Sequence, residues 1–205
     1  MIKANHHWFF IRFFDGFTKR KLKSDFHHVN TVGQWNESEK AALIIGNHVS
    51  WWDGFWAIYL NKRFLNKRFH VMMLEEQLAE RRLFTKTGAF SINPGNRSVI
   101  ESIDYTAKLL SNNENCVVLF PQGKINSLYQ NKICFEKGIE KILQKSPAVQ
   151  LLFYVAMVDY FSEQKPELTF YLKEIEYQKY STEEINSLYQ LFYNECIEHQ
   201  TCKNQ

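Results

Sequence analysis

Three uninterrupted apolar runs, Ala41–Ile45, Cys116–Phe120 and Leu151–Val158, limit what this chain can fold into. A strand with one wet face alternates apolar and polar residues, so runs without alternation read as strands covered on both faces. Such strands belong to sheets with helices packed on either side. His70–Leu74 and Phe90–Ile92 read as further strands, and Leu168–Ile175 as a late one for which the sheet edge is a natural place. The intervening spacing predicts helices over 51–60, 76–84, 98–110, 136–144 and 182–199. The last opens on Ser181-Thr182-Glu183-Glu184, a capping box, and sets Ile185, Leu188, Phe192 and Cys196 on one face. The expected fold class is α/β: a single domain with a mixed, largely parallel sheet flanked by helices. No repeat or low-complexity linker divides it, and 205 residues suffice for one full core.

In open α/β sheets, ligands bind beyond the carboxyl ends of the strands. Asn47-His48-Val49-Ser50-Trp51-Trp52-Asp53 follows the first apolar run, Pro121-Gln122-Gly123-Lys124 the second, and Asn93-Pro94-Gly95-Asn96-Arg97 the short strand at 90–92. If these strands are parallel, all three loops share one edge. Ser50 can cap the helix that follows, which puts Asp53 at its third position, near the positive end of the helix dipole. His48 then lies in the turn before the helix, where Asp53 can fold back onto one imidazole nitrogen and leave the other free to take a proton. Taken alone, a histidine beside a strand is more often merely hydrogen-bonded.

Lys3, Arg12, Lys19, Arg20, Lys21 and Lys23 stand against Asp15 in residues 1–24, so the start is basic although the whole chain carries only +3. An anionic partner surface follows, lipid or nucleic acid. The same segment holds Trp8, Phe9, Phe10, Ile11, Phe13, Phe14 and Phe17. It is too short and too interrupted to span a bilayer, and its charges follow its apolar part, opposite to a signal peptide. Residues 1–30 therefore read either as an amphipathic, membrane-interfacial segment or as a first helix packed on the core with a solvated basic end. Nucleic acid is not expected as a partner, for there is no reading helix. Cys116, Cys134, Cys196 and Cys202 form no ligand-spaced set, which suggests a reduced, cytoplasmic protein without structural zinc. The His6-His7 and His27-His28 pairs are weak metal candidates, and no metal is expected.

The ordered pieces resemble the glycerophosphate and lysophospholipid acyltransferase superfamily. Asn47, His48 and Asp53 match its first motif, N-H-x-x-x-x-D, in which Ser50 is also common. Phe120-Pro121-Gln122-Gly123-Lys124-Ile125, followed by Phe135-Glu136-Lys137-Gly138, is similar to the third, F-P-E-G-T-R and then F-K-x-G. Gly88-Ala89-Phe90-Ser91-Ile92-Asn93-Pro94 keeps the glycine and apolar alternation of the second, and Val155-Ala156-Met157-Val158 approximates a late V-P-V strand. The set covers about residues 41–160. The resemblance makes 31–205 an acyltransferase-like catalytic domain, active in phospholipid or other lipid metabolism and peripheral on the inner face of the cell membrane.

That resemblance implies an O-acyltransferase. It moves a fatty acyl group from an acyl thioester, acyl-CoA or acyl-ACP as co-substrate with no other cofactor, to a hydroxyl of a lipid acceptor. A lysophospholipid such as lysophosphatidic acid, or a glycolipid, would serve. Transfer is direct, with no acyl-enzyme: His48 is the base and Asp53 fixes its tautomer. Asn47, Ser50, Arg97, Pro121, Gln122, Gly123 and Lys124 are the candidate substrate-binding residues. Asn47 also reads as stabilising its turn and Ser50 as a helix cap, while Gly123 lets backbone approach the substrate and Lys124 or nearby N–H groups face the oxyanion. The departures bear on the acceptor. Gln122 replaces a glutamate, Ile125 an arginine and Pro94 a basic residue, positions that in relatives help hold the acceptor's phosphate. Arg97 or Lys124 could substitute; a neutral acceptor, such as a sugar hydroxyl, is equally compatible. A catalytically silent lipid-binding protein on the same fold is the alternative, with Gln122 as its sign.

Overall fold

The computed structural model describes residues 1–94 and 98–203. A seven-stranded sheet runs β1 (Val29–Val32), β7 (Glu167–Ile175), β6 (Gln150–Asp159), β2 (Ala42–Gly46), β5 (Asn115–Leu119), β3 (Arg68–Leu74), β4 (Ala89–Ile92). All neighbours pair parallel except β6 with β7, which pair antiparallel from Leu151–Ile175 to Asp159–Glu167. The sheet is therefore mixed and largely parallel, as its apolar runs require. Residues of one strand feed both cores: Leu43 and Ile45 face one side with Val117, Phe153 and Tyr189, while Ala42 and Ile44 face the other with Trp56, Leu60 and Phe170. Burial on two faces explains why β2 and β5 carry no alternation.

Helices α1 (Trp8–Asp25), α2 (Asp53–Leu60), α3 (Glu75–Glu80), α4 (Ser98–Leu110), α5 (Ile139–Lys145) and α6 (Thr182–Thr201) complete the domain. Ser181 and Glu184 close the expected capping box on α6, 3.2 and 2.8 Å. Four expectations are corrected. Leu168–Ile175 is not an edge strand, because β1 pairs beyond it; four half-buried residues gave that strand no periodic signal. A boundary after residue 30 would cut β1. The helix expected to Phe84 stops at Glu80 and tightens into a 3₁₀ turn over Arg82–Thr87, where the Thr85 and Thr87 hydroxyls donate to the carbonyls three residues back. The helix expected from Glu136 starts at Ile139, since Gly138 has φ 132° and the Glu136 N–H is held by the Pro121 carbonyl at 2.7 Å.

One side of α1, with Phe14, Phe17, Thr18 and Leu22, packs on the body, where Phe14 meets Phe55 and Phe84 at 5.8 Å. Ahead of α1, the Ile2 carbonyl accepts from Ser91 N–H at 2.9 Å and Asn5 N–H donates to Thr85 at 2.9 Å, so the arm lies along β4. His6 lodges its Nε2 2.7 Å from the Phe69 carbonyl and sets its ring against His70, 4.7 Å between centres. Among the described residues, no helix is long and apolar enough to cross a membrane.

His70 is 2 % exposed. Burial, then the nearby His6 charge, lowers its imidazole to about 4. An unfolded chain takes up that proton near 6.5, so in the window between, the unfolded state holds more protons and stability falls as pH falls. The contribution is about 3 kcal/mol across that window. Urea midpoints of His70→Leu are expected to drop less than those of the unsubstituted chain between neutral pH and about pH 4. Parallel curves would remove His70 from the acid sensitivity.

Candidate active site

Strands β2, β3, β4, β5 and β6 point their carboxyl ends to one edge of the sheet. There β2 ends at Gly46, over which the Tyr154 ring lies so closely that a Cβ would sit 2.3 Å from it. Asn47 extends the ladder by side chain: its amide donates to the Ala156 carbonyl at 2.9 Å and accepts from the Ala156 N–H at 2.8 Å. Both ends of that buried amide are spent on β6. Asn47 thus anchors the turn as expected, and does not line the cavity described below.

The chain then turns through His48–Trp52 into α2. The Ser50 hydroxyl accepts from Trp52 N–H at 3.1 Å, capping the turn, although regular helix begins only at Asp53. Asp53 is fully buried. Its Oδ2 accepts from the Val49 N–H at 2.7 Å and the Ser50 N–H at 2.9 Å, and meets His48 Nδ1 at 2.7 Å. Burial pushes the carboxyl above its ordinary range; the His48 ring and the two N–H groups pull the other way. A proton on Nδ1 is what this contact requires, so Nε2 is left as the basic nitrogen. The imidazole is one-quarter exposed and stacks on Phe120, 4.7 Å between centres and 22° between planes.

The segment after β5 grips the same histidine from the opposite side. Gln122 Oε1 accepts from the His48 N–H at 2.8 Å, and the His48 carbonyl accepts from the Asn126 N–H at 2.8 Å. Gly123, at φ 70°, closes a turn by donating to the Phe120 carbonyl at 3.0 Å. That left-handed backbone favours glycine, and a Cβ there would press on Glu136 at 3.0 Å. Gln122 is 4 % exposed, so its side chain supports the histidine turn from within.

His48, Pro121, Gln122, Gly123 and Lys124 line a cavity of about 1190 Å³. Its inner wall is apolar, with Val71, Met72, Leu74, Ala89, Ile103 and Ile142, and its rim carries Arg81, Lys124, Lys137 and Lys141. The methionines of β3 had no part in the sequence expectation; their fit to a wall that adapts to an alkyl chain is the signal that was there. Phe120 as a stacking platform and Asn126 as a clamp are likewise legible only in three dimensions. Ser50 and Asp53 stand behind the histidine and not in the cavity wall, and Arg97 lies outside the described residues. Among the described residues, no three His, Cys, Asp or Glu side chains gather to hold a metal.

Chemically, the arrangement can take a proton at His48 Nε2 beside an apolar chamber and hold the resulting imidazolium against a carboxylate. Gln122→Leu leaves the His48 N–H without its acceptor and should cost about 1–3 kcal/mol. A urea midpoint equal to that of the unsubstituted chain would show that this bond supports nothing.

Comparisons with known proteins bear on the family and the fold. The profile of the Acyltransferase family matches residues 25–158. The fold is similar to the crystal structure of the 1-acyl-sn-glycerophosphate (LPA) acyltransferase PlsC from Thermotoga maritima. The TM-score is 0.63 and the identity 14 %, over 92 % of this chain and 79 % of that one. At that identity the likeness speaks for the fold. No curated protein gives a significant sequence match. With a profile match from before β1 to the end of β6, the chain belongs to the Acyltransferase family.

Proposed function

We propose that the protein transfers a fatty acyl group from an acyl thioester to a hydroxyl of a lipid acceptor, a lysophospholipid or a glycolipid. The observation that carries this reading is the His48–Asp53 pair, 2.7 Å apart, at the lip of an apolar cavity large enough for an acyl chain. His48 Nε2 takes the proton of the acceptor hydroxyl as its oxygen attacks the thioester carbonyl carbon. Asp53 keeps the ring oriented and balances the imidazolium. The tetrahedral oxyanion collapses, the C–S bond breaks, and the thiolate leaves with the proton from His48. Lys124, at the rim, is the cation for the oxyanion or for an anionic group of either substrate. Coenzyme A and acyl carrier protein both satisfy this chemistry as the thiol.

Gln122 argues against a silent relative. Its task at this site is to accept an N–H with an oxygen, and an amide oxygen does that as a carboxylate would. A neutral side chain there fits a neutral acceptor as well as a phosphorylated one.

Membrane association, on the inner face of the cell membrane, is part of the proposal. Trp8, Phe9 and Phe13 are 69, 51 and 54 % exposed on the outer side of α1, beside exposed Arg12, Arg20 and Lys23. An aromatic stripe next to cations suits an anionic bilayer surface.

Two outcomes are expected. Incubated with radiolabelled acyl thioester and a lipid extract, the protein yields a new acylated lipid, and His48→Ala lowers the rate by about two to four orders of magnitude. Absence of product marks a silent binder; near-normal turnover in the variant removes His48 from the mechanism. Replacing Trp8, Phe9 and Phe13 by serine should weaken co-sedimentation with phosphatidylglycerol vesicles and leave the urea midpoint unchanged. Undiminished sedimentation would end the membrane assignment.

A further inference from the structure

A second cavity, about 370 Å³, lies on the other side of the histidine turn, between that turn and α1. Its walls include Leu22, Val49, Trp52, Phe55, Trp56 and Val158. Most polar side chains that border it are already engaged, and Tyr160, 60 % exposed, stands at its solvent edge. The Thr18 hydroxyl donates to the Phe14 carbonyl at 2.7 Å, Lys21 pairs with Asp25 at 2.8 Å and covers the Trp52 ring, and the Ser50 hydroxyl accepts from Trp52. What remains to be met is apolar surface, and a hydrocarbon meets it without displacing a hydrogen bond. The volume has room for about a dozen water-sized groups.

Resting on the acyl-transfer reading, we infer that this smaller cavity seats the hydrocarbon chain of the acceptor lipid. An ester product carries both the transferred chain and the acceptor's own. The large cavity provides for the first. The second must leave His48 in another direction. Val49 and Ser50, directly after His48, form part of the smaller cavity's wall, and Phe55 lines both cavities. A hydroxyl at His48 stands in the large cavity, so a chain laid over Val49 toward Trp52 and Trp56 reaches it past Phe55, the ring that the two cavities share. The outer wall of the cavity is the C-terminal half of α1, the helix whose N-terminal half carries the exposed aromatic stripe, so a lipid held at the surface that the stripe suits lies along the same helix.

Leu128, 41 % exposed at the cavity edge and outside the catalytic set, allows the space to be filled from the solvent side. Transfer is measured with hexanoyl and oleoyl lysophosphatidic acid as acceptors. Leu128→Trp is expected to raise KM for the oleoyl acceptor about tenfold, the affinity that about two buried methylenes carry. KM for the hexanoyl acceptor and for the thioester should stay unchanged. Equal effects on both acceptors, or none, would overturn the inference. A binding arm needs no turnover: in His48→Ala carrying Trp8→Phe and Trp51→Phe, oleoyl lysophosphatidic acid brominated along its chain, below its micelle concentration, should quench Trp52 and Trp56. Absence of quenching overturns the chain site whatever the turnover. Quenching without transfer by the unsubstituted protein overturns the acyl-transfer reading alone and leaves a lipid-chain site.

Discussion

The buried carboxylate of Asp53 is the contact on which the site depends. One oxygen gathers the imidazole of His48 and the N–H groups of Val49 and Ser50, all within 2.9 Å. It thereby shapes the turn before α2 and fixes a tautomer at once. A buried carboxyl is costly to ionise unless donors meet it, and here the turn before α2 provides them to Oδ2. Because the same bonds hold the backbone and the ring, orientation of the histidine is a property of the fold and not of a mobile side chain.

The sheet makes that contact useful. Parallel strands β2 and β5 are adjacent, so the turn after one meets the loop after the other, and Gln122 and Asn126 clamp the His48 peptide from both sides. Phe120, the first residue beyond β5, then lies flat on the imidazole. The cavity opens where these loops part from the ends of β3 and β4, which leaves polar chemistry at its rim and apolar side chains inside. An apolar wall beside a proton acceptor excludes water from the place where water would compete as an acyl acceptor.

The N-terminal helix has two unlike aromatic sides. Its inner residues, Phe14, Phe17 and Leu22, continue the core over α2, while Trp8, Phe9 and Phe13 face out. The packed-helix reading of this segment therefore holds for its inner side, and the exposed aromatic side is what the membrane proposal rests on.

The sequence by itself determined the layers of the fold and the chemical pair. Unbroken apolar runs force doubly covered strands, and the five-residue separation of His48 and Asp53 across a strand-to-helix junction leaves few ways for them not to meet, because local geometry dictates short-range contacts. Tertiary structure alone decided what lies far apart in the chain. It set β1 outside β7, bound Asn47 to Ala156 and gave Gln122, which lines the cavity, a hold on the His48 N–H. It also divided the apolar space into two cavities that share the Phe55 ring. These follow from strand order and from which side chains fill the space between packed layers, quantities that no local pattern of residues encodes.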